Sequence, residues 1–121
     1  MKIPKPTDDD IEHFRSLFDD RPQVELRPMF GNMAAFVVEN RQMCAGLFGE
    51  LVGLRLPDDQ RAELARVDGA GLFGPEDRPM KEYVAMPVAW RSGHDDQVEQ
   101  WIDRAIAHTS TLPAKKPKKK R

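Results

Sequence analysis

A chain of 121 residues with 40% hydrophobic and 32% charged side chains has the length and balance of one globular domain that builds its own core without staples. No apolar run approaches the ~20 residues that cross a bilayer, and no hydrophobic segment of a secretion signal follows the lysines of the Met1–Pro6 start. A single cysteine, Cys44, excludes an internal disulfide and points to a reducing, cytoplasmic setting.

Residues 1–6 form a proline-interrupted lead-in expected to be flexible. Thr7-Asp8-Asp9-Asp10 then reads as a helix start, with Thr7 as N-cap, Asp10 closing a capping box and three carboxylates at the positive end of the helix dipole. Ile11, Phe14, Leu17 and Phe18 recur at helical spacing, and Arg21-Pro22 ends the helix. From Val24 to Leu56 strands follow. Met33–Val38 and Met43–Phe48 are apolar on both alternating faces, the latter as the sets Met43/Ala45/Leu47 and Cys44/Gly46/Phe48, and the polar break 39–42 suits a hairpin loop. Leu51–Leu56 alternates, with Val52, Leu54 and Leu56 on one face and Gly53 and Arg55 on the other.

Pro57 opens a short helix to about Val67, the glycines near 70 break it, and Leu72-Phe73 and Met80–Met86 are the last strand candidates. Ser92, with Asp95 three residues on, suits a capping box for the final helix, whose stripe of Val98, Trp101, Ile102, Ala105, Ile106, Thr109 and Leu112 is the clearest in the chain. The expected domain spans residues 7–112 and the tail 113–121 is expected to be disordered. The order helix, three strands, helix, two strands, helix predicts a two-layer α+β sandwich: an antiparallel sheet of about five strands covered by helices on one side. Strands apolar on both faces then leave an uncovered apolar patch on the other side. That patch predicts an interface for a second copy or another protein, against the alternative that one helix crosses over and closes a monomer.

The formal charge of −1 is divided. Lys115, Lys116, Lys118, Lys119, Lys120 and Arg121 carry six of the 19 basic groups, which leaves 13 against 20 acidic ones, a formal −7, on the rest of the chain. An acidic body repels nucleic acid, whereas such a tail attracts phosphate backbones weakly and without sequence preference. It holds no aromatic residue for base stacking, and a solubilising end is the alternative reading.

Two short blocks stand out, Arg27-Pro28-Met29-Phe30-Gly31-Asn32-Met33 and Asp77-Arg78-Pro79-Met80-Lys81, each running into an apolar strand. With the strands between them and the Trp-bearing helix after them, they resemble the TfoX N-terminal domain family over residues 11–113. Phe30-Gly31-Asn32 resembles that family's Met-Phe-Gly-Gly segment, with Asn32 where a second glycine is common. Asn tolerates a left-handed backbone, so the exchange is chemically mild. The resemblance implies a secretion-chaperone-like α+β fold and a link to bacterial competence regulation, where the full-length regulator assists transcription of DNA-uptake genes. That regulator carries a second, C-terminal domain, whereas here the lysine tail follows the last helix, so the expected role is a small non-enzymatic interaction or regulatory module.

A ligand site is conceivable where Arg27, Phe30, Gly31 and Asn32 meet Arg78 and Lys81, provided the first and last strands are neighbours. The alternatives are a bulge needed only for folding and a rim of surface ion pairs. Catalytic residues, a metal and a cofactor are not expected. His13, His94 and His108 show no ligand spacing, Cys44 has no nearby cation to stabilise a thiolate, and Asp8, Asp9 and Asp10 point about 100° apart on a helix. Trp90 and Trp101 read as packing residues.

Overall fold

The structure, a computed structural model, describes residues 4–29, 31–75, 77–93 and 95–114. The capping box forms as the sequence predicts. Asp10 N–H donates to Thr7 Oγ1 at 3.1 Å and Thr7 N–H to Asp10 Oδ2 at 2.8 Å, which starts α1 (Asp8–Ser16). Four strands follow: β1 (Val24–Met29), β2 (Asn32–Val37), β3 (Met43–Phe48) and β4 (Leu51–Arg55). After them come α2 (Asp58–Ala65), β5 (Gly71–Leu72), β6 (Tyr83–Ala85), a 3-10 turn (Val88–Arg91) and α3 (Asp95–Ser110). The sheet is antiparallel throughout, in the order β1-β2-β3-β4-β6-β5.

The architecture is the expected α+β arrangement, with six strands in place of about five. The additional strand is β1, which holds Glu25, Arg27 and Pro28 and lies at an edge. Edge strands tolerate both charge and proline, so β1 lacks the apolar run that marks β2 and β3. Ser92 ends the 3-10 turn in extended backbone, three residues before the helix begins at Asp95.

All the helices pack on one face of the sheet. Phe14 of α1, Leu64 of α2, Trp90 of the 3-10 turn and Ile102 of α3 share a cluster with Ala35, Leu47, Leu54 and Val84. Val52, Leu54 and Leu56 reach this core, as their alternation predicts. Two charged side chains fasten the helices to one another. Arg21 beyond α1 is buried and donates to Asp103 Oδ1 of α3 at 2.7 Å and to Glu99 Oε1 at 3.2 Å. Arg91 donates to Asp10 Oδ1 at 2.6 Å.

His13, half-buried on α1, makes that end of the domain sensitive to pH. Burial first, and then the Arg91 cation, hold its imidazole below the ordinary range against the pull of Asp10. A value lowered on folding stabilises the native state above the unfolded value of 6.5 and loses that contribution as pH falls through the folded one. The thermal midpoint should therefore decline as pH falls from about 7 to about 5, and His13→Gln should flatten that decline. Equal slopes for the two proteins would refute it.

Candidate functional site

The second face of the sheet carries the candidate site, and a bulge determines which residues reach it. The β2–β3 register shifts between Ala35–Ala45 and Phe36–Met43, leaving Cys44 as the extra residue. A bulge places two successive residues on the same side. Cys44 and Ala45 accordingly both enter the helix-side core, and Met43 joins Gly46 and Phe48 on the second face. Plain alternation groups Met43 with Ala45 and Leu47. The bulge overturns that grouping.

This face is not bare. Gly46 of β3 and Gly53 of β4 are cross-strand partners, and the Phe73 ring lies over them. A methyl group at position 53 would come within 2.3 Å of that ring. Phe73 meets Phe48 edge-on at 6.0 Å and Tyr83 at 5.9 Å. The β5–β6 connection that carries Phe73 folds back over the sheet and is pinned where Met80 N–H donates to the Phe73 carbonyl at 2.8 Å. Arg55 closes the far side, its guanidinium donating to the Met43 carbonyl at 3.2 Å and lying 5.9 Å from the Tyr83 ring centre. Burial pushes the Tyr83 hydroxyl up to about 12.

Between this loop and the sheet lies a cavity of about 420 Å³ lined by Met29, Met33, Met43, Met80, Phe48 and Phe73, with Asn32 the polar side chain on its wall. Asn32 also shapes it. The β2–β3 ladder ends at the Ala34–Gly46 pair although both strands run further. The Asn32 side chain replaces the missing backbone bonds, accepting from Gly49 N–H at 2.9 Å and donating to the Pro4 carbonyl at 3.1 Å. It is buried in β2, and Gly31 before it holds the left-handed backbone, with φ of 79°. Asn32 is therefore a clamp between segments and not a stand-in for a left-handed glycine. Its replacement by alanine would orphan the buried Gly49 N–H. Asn32→Ala should cost about 1–2 kcal/mol in urea unfolding, and a change within about 0.3 kcal/mol would contradict the clamp.

Nearer the β1 edge, a second hollow of about 470 Å³ is lined by Glu25, Arg27, Met29, Phe36, Val38 and Arg41. Arg27 Nε donates to Glu25 Oε2 at 2.5 Å, and its guanidinium stands 5.6 Å from the Phe36 ring centre. Arg78 and Lys81 lie exposed on the β5–β6 connection. The first and last strands are not neighbours, because β2, β3 and β4 separate β1 from β6. The condition for convergence of Arg27 with Arg78 and Lys81 is thus unmet. Phe30, His94 and the tail cations Lys115–Arg121 lie outside the described residues.

The family model described as the TfoX N-terminal domain matches residues 16–109. The chain belongs to the TfoX N-terminal domain family. Neither a curated protein nor a solved structure matches it. In this TfoX N-terminal domain the two signature blocks meet across the cavity, since Met29, Asn32 and Met33 of the first and Met80 of the second all line it. Cys44 is buried in the helix-side core, and desolvation raises its thiol to about 12. Asp8, Asp9 and Asp10 head α1 as dipole partners. Among the described residues no cluster of three or more His, Cys, Asp or Glu is placed to hold a metal, and no helix is long and apolar enough to cross a membrane.

The loop contacts are what sequence reasoning missed. The facing glycines of two apolar strands are a signal in retrospect, since something flat must lie over a position where both strands lack side chains.

Proposed function

We propose that this chain is a non-enzymatic interaction module, akin to the N-terminal domain of the TfoX competence regulator, that pairs with a second copy of itself through the β1–β2 part of the second sheet face. One observation carries the reading. Val38 is 55% exposed next to half-buried Phe36, in the part of the face beyond the Phe73 cluster. The rim holds Glu25 together with Arg27 and Arg41. A two-fold axis through such a patch presents each acid to the partner's cations, the self-complementarity that an isologous dimer requires. Association of this sort suits a regulatory module, because it makes the active species depend on concentration.

Sedimentation velocity tests the pairing. At about 50 μM the wild type should show a weight-average mass of about 1.7 times the 13.8 kDa chain mass if the dimer dissociates near ~10 μM. Val38→Asp, at an exposed site, should sediment as a folded monomer. A wild type that remains at the chain mass would overturn the reading.

A further inference from the structure

The cavity beneath the Phe73–Met80 connection lies apart from the proposed dimer patch, with which it shares Met29 alone among the described residues. Its volume of about 420 Å³ falls within the roughly 300–1,000 Å³ of small-ligand sites. An apolar cavity of about 150 Å³ takes up benzene, so this one has room for two fused rings. Its wall chemistry is narrow. Among the described residues no Lys, Arg, His, Asp or Glu lines it, so a charged group inside would lose its hydration without a charged partner from them. The Asn32 amide oxygen is taken by Gly49 N–H and its nitrogen donates to the Pro4 carbonyl. Four of the six methionines of the chain line this one space. Thioether side chains are unbranched and polarisable, so such a wall reshapes around ligands of one chemical class more readily than a wall of branched residues.

We propose that this cavity is a binding site for an uncharged lipophilic small molecule of about two-ring size, held against the sheet by Phe73 and the methionine side chains. The site goes beyond the pairing function and stands whether or not the chain dimerises. Selectivity against anions follows from a wall whose described residues include no cation, and tolerance of shape follows from the methionines.

The test uses the full chain with labelled methionine methyl groups and 6-propionyl-2-(dimethylamino)naphthalene, an uncharged two-ring probe whose fluorescence brightens and shifts to the blue in apolar surroundings. Its fluorescence should saturate at one molecule per chain. The methyl resonances of Met29, Met33, Met43 and Met80 should shift along the same curve, while Met86, buried on the helix side, should not. The anion 2-naphthoate should bind at least about tenfold more weakly. Linear, unsaturable fluorescence, shifts at Met86 with the other four still, or equal binding of the anion would each overturn the proposal. Val38→Asp should retain the wild-type binding curve. Loss of binding in that variant would place the probe on the dimer patch and overturn the site, whereas a monomeric wild type that still binds would overturn the dimer alone.

Discussion

Phe73→Ala should cost about 3–5 kcal/mol of unfolding free energy, the range for removing a buried aromatic ring. The ring is 2% exposed and is the centre of the second cluster, touching Phe48 and Tyr83 and lying over Gly46 and Gly53. Gly53→Ala should cost about 2–3 kcal/mol for the opposite reason, overpacking. A Cβ there would stand 2.3–2.6 Å from three carbons of the Phe73 ring, so the ring would have to leave its place over the glycine pair. At position 46 the closest approach, 2.6 Å, is to the flexible tip of Met43, so Gly46→Ala should be milder. The decisive measurement is a double-mutant cycle by urea unfolding. Gly53→Ala made in the Phe73→Ala background should cost almost nothing, a coupling of about 2 kcal/mol. Additive costs would show that the ring does not sit on the glycine pair.

Asn40→Ala should cost about 3 kcal/mol, although Asn40 lies in a hairpin loop where substitutions are usually mild. It is 5% exposed, and its side chain caps a helix from a distance of about 70 residues in sequence. Nδ2 donates to the Thr109 carbonyl at 2.7 Å and to the Leu112 carbonyl at 3.1 Å, while Oδ1 accepts from Gln42 N–H at 3.1 Å. Thr109 lies in the last turn of α3, whose final carbonyls have no partner within the helix. Removing the amide strands these groups in a buried setting. Asn40→Asp should be no better, because a carboxylate cannot donate and carries negative charge toward the negative end of the helix dipole. Gln42→Ala, which loses an exposed bond to the Pro113 carbonyl and one accepted from Arg55 Nη1 at 3.2 Å, should cost about 1 kcal/mol. Equal effects at 40 and 42 in denaturant unfolding would refute the cap.

Local signals were read well wherever one short segment sufficed. Thr7 and Asp10 lie three residues apart and cap one another, so their chemistry is complete in the sequence. The α3 stripe and the β4 alternation likewise report which face meets the core, because burial imposes the period of the element on its apolar residues. The family was legible from the two blocks, since they retain residue types that spacing and composition do not demand. The site was legible only in fragments. Asn32 was singled out for its backbone, whereas its side chain is what holds Pro4 and Gly49. Arg27, Arg78 and Lys81 were grouped by a strand order that the sheet does not have.

The chain alone thus determined the helices, the apolar strands, the single cysteine as a packing residue and the family. The tertiary structure decided which side of the sheet each β3 residue serves, through the bulge at Cys44. It also decided that the β5–β6 connection folds over the β3–β4 part of the second face and walls a methionine-lined hollow. The reason is geometric. A bulge of one residue inverts the alternation on one side of it, and a loop returns to a sheet according to what it can bury there, which depends on residues distant in sequence.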